Sequence, residues 1–274
     1  MRRRLTWIAS YPKSGNTWVR AFLLNYLAPV GATVPLNDVK AIPIAASRPL
    51  FDRALGCESD LLLPHEIPAL RSAWYDLIAH RQPGHFFKVH DQYDPQLHTP
   101  ANTSFVLYII RNPWDVAVSY AAHRGRSVAG TISVLADETY VASRSMAEPK
   151  PQLPQFYGSW SGHVSSWVDQ NAIPVHVTRY EDLLASPCPT FAALLQACGY
   201  SIDEARLHAA IEACSFASLR AQEDATGFQE KPATAEKFFR QGRAGAWRDV
   251  LTPDQFAQIA HRHAATIARF GYTQ

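Results

Sequence analysis

The chain has 274 residues, 47% of them apolar, and a formal charge of +2. That length admits one large domain or two small ones, with about three quarters of the unfolded surface buried, and the apolar share argues against disorder. A charge this small does not imply a long nucleic acid as partner, although a local basic site for a small anion remains open.

Leu5 to Ala9 is a short apolar run that predicts a buried strand. Ser10 to Gly15 is a polar break, and from Asn16 onward Val19, Phe22, Leu23, Tyr26 and Leu27 fall on one helical face. Asn16 or Ser14 is expected to cap that helix. A strand, a tight loop with a lysine and a helix N-terminus form an anion cradle, because exposed N–H groups and the positive end of the dipole face the loop. Lys13, Ser14 and Thr17 add a charge and two hydroxyls, and Trp18 offers a flat ring for a nucleotide base. The order differs from the standard P-loop, whose lysine follows the glycine.

Pro29 to Asp60 reads as an irregular excursion with short helices. Pro64 to Arg81 predicts a helix with Ile67, Leu70, Trp74, Leu77 and Ile78 on its apolar stripe, ended by Gln82-Pro83-Gly84. His85 to His90 predicts a strand ending in Lys88 and His90. Ser104 to Ile110 is a continuous apolar run, as in a parallel sheet covered on both faces. Arg111-Asn112-Pro113 follows directly, with Pro113 at the first helical position and Asp115 in the first turn. This is a second strand–loop–helix unit, with Arg111 at the strand end and Ser119 about two turns into a helix that runs to about His123. Thr131 to Ser143 and Phe156 to Gln170 predict helices, separated by a loop marked by Pro149, Pro151 and Pro154. Pro174 to Tyr180 predicts another core strand, then Pro187 to Cys198 and Asp203 to Cys214 two helices. Glu223 to Arg248, charged and glycine-bearing, reads as a loop that orders on binding. Thr252 to Phe270 predicts one amphipathic helix whose stripe includes His263, a core or boundary residue.

Strands alternating with helices predict an α/β three-layer fold with a mostly parallel central sheet. Ligands in such sheets sit at the strands' C-terminal ends, where Lys13 with Ser14, Lys88 with His90, and Arg111 stand. The four cysteines lack C-x-x-C spacing, so neither zinc nor a disulfide framework is expected. The apolar run after Arg4 breaks too early for a signal peptide, and no stretch of about 18 apolar residues exists. A soluble, cytoplasmic protein with no membrane or nucleic-acid partner is the expectation.

These residues resemble the sulfotransferases that use 3′-phosphoadenosine 5′-phosphosulfate (PAPS). Tyr11-Pro12-Lys13-Ser14-Gly15-Asn16-Thr17-Trp18 is similar to their 5′-phosphosulfate loop, and Arg111 to Tyr120 to their 3′-phosphate segment. Lys88-Val89-His90, Tyr180-Glu181-Asp182-Leu183 and Phe239 to Trp247 match further elements in the family's order. The resemblance implies one domain over residues 1–274, with acceptor-side insertions around 29–60 and 125–160. It implies Lys13 on the bridging oxygen, with Ser14, Gly15, Asn16 and Thr17 around the 5′-phosphate. Arg111 and Ser119 hold the 3′-phosphate, Arg240 and Gly242 close over it, Trp18 and Phe216 sandwich the adenine, and Tyr180 faces the adenine side. His90 is the implied general base, helped by Lys88 on the transferring sulfonate. PAPS is the implied donor, adenosine 3′,5′-bisphosphate (PAP) the product, and no metal is required. The implied partner is a small, partly apolar molecule with a hydroxyl.

The chain departs from the family's pattern at Gln241, where lysine is usual, at Cys214, where threonine is usual, and at Asp91-Gln92, which replaces an apolar residue and proline. The family's dimerisation pattern after Trp247 is not intact, so no dimer is inferred. A P-loop nucleotide or metabolite kinase is the alternative, but it needs Gly-Lys-Ser/Thr and a magnesium-holding acid. A nucleotide-binding module with a dead site would not need Lys13 and His90.

Overall fold

The structure, a computed structural model, describes residues 4–81, 84–143 and 150–272. In chain order its elements are β1 (Leu5–Ser10), α1 (Asn16–Leu27), α2 (Arg48–Leu55), α3 (Glu66–Arg81), β2 (Phe86–Val89), β3 (Thr103–Ile110), α4 (Pro113–Arg124) and α5 (Val128–Ala136). There follow β4 (Val141–Ala142), β5 (Gln155–Phe156), α6 (Trp160–Val168), β6 (Val175–Arg179), α7 (Tyr180–Ala185), α8 (Pro187–Ala197), α9 (Glu204–Ala213), α10 (Phe216–Thr226), α11 (Pro253–Arg262) and α12 (Ala264–Arg269). Among the described residues, no helix is long and apolar enough to cross a membrane.

The chain divides into two compact units. The first comprises Met1–Tyr11, Ile42–Tyr108 and Asp137–His176, and the second Pro12–Ala41, Ile109–Ala136 and Val177–Gln274. The central sheet has four strands in the order β2-β1-β3-β6, and the last residues of β3 and β6 fall in the second unit. β1 and β2 run parallel, with Thr6 opposite Phe86 and Ala9 opposite Val89. All six residues of β1 are buried, Thr6 and Ser10 included, which is why Leu5, Trp7, Ile8 and Ala9 show no strict alternation with polar residues. In the first unit the Trp7 indole donates to Thr103 Oγ1 at 2.7 Å and meets Tyr75, Phe87 and His98 edge-on.

The predicted elements stand, with changes at their ends. The strand predicted to run to Tyr180 stops at Arg179, and Tyr180 opens α7. The helix predicted over Phe156 to Gln170 begins only at Trp160, because Gln155 and Phe156 pair antiparallel with β4, and Ser159 caps α6 through Gly162 N–H. The helix predicted to reach Ser143 ends at Ala136. The C-terminal helix is broken at His263, a buried residue between α11 and α12. The stripe of α3 is also different: Leu77 is exposed, while Arg71, Trp74, Tyr75 and Ala79 are buried. The predicted stop at Gln82-Pro83 and the loop residue Pro149 lie outside the described residues.

Arg71 faces inward because Asp91 meets it. Its two terminal nitrogens donate to Asp91 Oδ1 and Oδ2 at 3.2 and 2.7 Å, and Nη2 also donates to Tyr75 Oη at 2.8 Å. Burial opposes the charge on this guanidinium, and the Asp91 carboxylate more than offsets it. Burial pushes the Tyr75 hydroxyl up to about 12, so it stays protonated and donates to the Ala45 carbonyl at 3.0 Å. Asp91 is thus a structural counter-ion. Replacing it with alanine strands a buried charge, and urea denaturation is expected to show a loss of about 3–5 kcal/mol. A loss under about 1 kcal/mol, as for an exposed pair, would contradict this assignment.

Two histidines of the same unit are held neutral. Burial, with Arg71 nearby, lowers His98 from 6.5 to about 3, and burial lowers His163 to about 4. Both rings take up protons in the unfolded chain below about pH 6.5 but not in the folded one, so stability is full above that value and falls as the pH drops toward 4. The urea midpoint is expected to drop between about pH 7 and pH 5, and a constant midpoint would contradict it.

Candidate functional site

Within the second unit, three stretches far apart in sequence meet at Arg111. Its Nη1 donates to the Lys13 carbonyl at 3.0 Å and its Nη2 to the Arg243 carbonyl at 3.2 Å. The guanidinium lies 4.3 Å from the Tyr180 ring centroid, and Asp115 Oδ2 is 3.8 Å from Nη2. Asp115 is itself buried and accepts from Asn112 Nδ2 and from the backbone N–H groups of Gly245 and Trp247, at 2.9, 2.8 and 3.1 Å. Local sequence explains the placement. Asn112 caps α4 by accepting the Asp115 N–H at 2.8 Å, with Pro113 at the first helical position. Glu181 in turn accepts from the Asn112 backbone and side chain at 3.0 and 2.8 Å.

The loop before α1 has the geometry of an anion cradle. Lys13 has a φ of +69° and Gly15 of +105°, both left-handed. A Cβ on Gly15 would lie 2.7 Å from the Tyr180 ring, so only glycine lets the loop turn under that ring. The expected side-chain cap by Ser14 or Asn16 is not made: Gly15 is the N-cap, and a glycine has no side chain to offer. The first turn of α1 is therefore left for another acceptor.

Two buried polar atoms fit that acceptor. Ser14 Oγ and Arg111 Nε have no hydrogen-bond partner among the described residues. Such atoms are costly unless a ligand or water completes them. A doubly phosphorylated nucleotide supplies the acceptor oxygens that a hydroxyl and an arginine N–H require.

The other expected donor residues lie in the same unit. Trp18 meets Tyr180 and Phe191 edge-on at 5.7 and 5.5 Å. Burial pushes the Cys214 thiol up to about 12, with the Trp18 indole as a neighbour. Phe216 opens α10, and a Cβ on Gly242 would sit 2.2 Å from its ring, so the loop backbone lies directly against that face. Ser119 is half-buried on α4, and Arg240 is exposed. The segment expected to order only on binding already has anchors: Glu223, buried in α10, accepts the N–H groups of Phe238 and Phe239 at 2.7 and 2.9 Å.

Lys88 and His90 lie in the first unit. Lys88 is the third residue of β2, and its backbone bonds Pro43 and Ala45 at 2.9 and 2.8 Å. His90 Nδ1 is 2.7 Å from the Ser10 carbonyl oxygen, which can only accept, so Nδ1 carries the proton and the lone pair of the neutral ring is on Nε2. The backbone around it is pinned. His163 Nε2 donates to the His90 carbonyl at 3.0 Å, and the Tyr108 hydroxyl donates to His163 Nδ1 at 2.8 Å. Trp167 donates to the Asp91 carbonyl at 3.0 Å. Tyr157, edge-on at 6.1 Å, is an aromatic neighbour of the His90 ring.

Glu223 and His163 carry no mark in the sequence, because they act through partners remote in the chain, whereas Asp115 has a local signal, the Asn-Pro-x-Asp start of α4.

A model of the sulfotransferase domain matches residues 3–271. Cytosolic sulfotransferase 17 of Arabidopsis thaliana is 25% identical over 266 residues, covering 92% of this chain and 71% of that protein. The crystal structure of mouse sulfotransferase SULT7A1 complexed with PAP superposes with a TM-score of 0.61 at 18% identity, covering 97% of this chain and 85% of that one. Retinol dehydratase in complex with androsterone and PAP gives 0.60 at 19% identity, covering 97% and 81%. The two structures share the fold, and the domain match is nearly as long as the chain itself: this protein belongs to the sulfotransferase family.

Proposed function

We propose that the protein moves a sulfuryl group from PAPS to the hydroxyl of a small, partly apolar acceptor. The observation that carries this reading is the Arg111 hub, where a buried guanidinium with an unfilled Nε stands against the loop that precedes an uncapped helix. PAP in two solved neighbours of the same fold supports the donor. Androsterone in one of them, and the tyrosine beside His90, support an acceptor with an apolar body. The relatives' name, cytosolic sulfotransferase, supports the cytosol as its place of action.

Ser14, Gly15, Asn16 and Thr17 bind the 5′-phosphate with backbone and hydroxyl donors. Arg111 and Ser119 bind the 3′-phosphate, with Arg240 and Gly242 over it. Trp18 and Phe216 enclose the adenine, with Tyr180 at its side. Lys13 places its ammonium on the bridging oxygen, where negative charge grows, and Lys88 faces the transferring sulfonate. PAPS supplies an activated sulfuryl group with PAP as leaving group. The acceptor oxygen bonds sulfur while the sulfur–bridging-oxygen bond breaks, its electron pair staying on PAP. The acceptor proton passes to His90 Nε2, for which a neutral imidazole with Nδ1 already protonated is suited.

PAP without magnesium is expected to stabilise the protein by about 2.7 kcal/mol at a hundred times its dissociation constant, read by thermal shift. A response to ATP with magnesium alone would favour the kinase reading. His90→Ala is expected to lower turnover by about 10²–10⁴-fold with PAP affinity kept; unchanged turnover removes His90 as base. Arg111→Ala is expected to weaken PAP binding at least tenfold, by about 1.4 kcal/mol, and unaltered affinity refutes its role.

A further inference from the structure

The ammonium of Lys13 has two neighbours that no motif marks. Its Nζ lies 3.4 Å from His123 Nδ1 and 3.9 Å from the centroid of the Phe238 ring. His123 stands in the last turn of α4, one turn beyond Ser119. Its ring meets Phe238 edge-on at 5.8 Å and stacks on Tyr120 at 6.5 Å. Both neighbours are themselves fixed. Thr234 Oγ1 donates to the His123 carbonyl at 3.0 Å, and Glu223 holds the Phe238 backbone N–H at 2.7 Å.

An ammonium has three donors and no acceptor, so the His123 Nδ1 facing it presents a lone pair. The imidazole is then neutral with its proton on Nε2. The Phe238 face attracts the same cation through its quadrupole. A lysine stem is the kind of side chain that loses most rotamer freedom when ordered. Ordering it before the chemical step removes that cost from the barrier. We propose that His123 is a positioning residue for Lys13, aiming its ammonium through the Nδ1 contact with Phe238 as backstop. The inference rests on the reading of Lys13 as the lysine on the bridging oxygen.

The test compares wild type, Lys13→Ala, His123→Ala, His123→Asn and the double Lys13→Ala/His123→Ala variant. PAP formation from labelled PAPS is followed in single turnover, with p-nitrophenol as probe acceptor or water where the phenol is not taken, and PAP affinity is measured by calorimetry. His123→Ala is expected to slow the single-turnover step about tenfold with PAP affinity within about twofold, a change in transition-state rather than ground-state contact. Asparagine puts an acceptor at the same branch of the side chain, so His123→Asn is expected to recover most of the rate. The double variant is expected to be no slower than Lys13→Ala, because the two residues act as one unit. A His123→Ala rate equal to wild type, or losses that multiply in the double variant, overturns the proposal. If the alanine variant does not fold, His123→Phe keeps the ring contacts without the acceptor and is expected to be slowed as much; a wild-type rate in that variant overturns the proposal equally. A wild-type protein that neither binds PAP nor consumes PAPS overturns the donor reading itself, and this inference with it.

Discussion

The loops gathered around Arg111 depend on one buried ion pair. Asp115 takes N–H groups from Asn112, Gly245 and Trp247, and Arg111 beside it reaches the carbonyls of Lys13 and Arg243. A buried carboxylate and guanidinium are costly to the extent that their remaining hydrogen-bonding positions are unfilled. Here most are filled, by the Asn112 amide and by backbone groups of the loops at Lys13, Arg243, Gly245 and Trp247, while Arg111 Nε has no partner among the described residues. The electrostatic requirement of the pair therefore fixes the shape of these loops. The left-handed Lys13 has its carbonyl held from the same centre, so backbone strain at the loop is offset by a charge-assisted hydrogen bond.

The first unit solves a different problem, which is to hold the His90 ring in one tautomer and orientation. Ser10 fixes the proton on Nδ1, and His163 and Trp167 pin the peptide carbonyls of His90 and Asp91. His163 can donate through Nε2 and accept through Nδ1 because burial keeps it neutral. Asp91 stands where the resemblance expects an apolar residue and Gln92 where it expects proline; the buried Arg71–Asp91 pair holds the first, and the second donates to the Phe156 and Tyr157 carbonyls.

The strand–loop–helix units were readable because each is local: an apolar run, a polar break and a change of period occur within a few residues of Lys13 and of Arg111. The same locality made the start of α4, with Pro113 at its first position and Asp115 in its first turn, visible. What stayed hidden depends on partners remote in the chain. Arg71 breaks an apolar stripe that only Asp91 explains. Glu223 looks like a solvated charge until the N–H groups of Phe238 and Phe239 meet it, and His123 looks like any surface histidine until Lys13 is placed against it. The α1 cap failed as an expectation for a physical reason: Ser14 and Asn16 are capping residues by propensity, but the left-handed turn puts Gly15, which has no side chain, at the N-cap position.

The role of the Arg111–Asp115 pair is measured most directly by the PAP affinity of Asp115→Asn, a residue assigned no contact with the donor. The substitution keeps the size and one acceptor while removing the charge that orders Arg111 and the Gly245–Trp247 loop. PAP binding is expected to weaken at least about tenfold in a protein whose far-ultraviolet circular dichroism is unchanged. Affinity equal to that of wild type in a folded variant would contradict the dependence of the donor site on this pair.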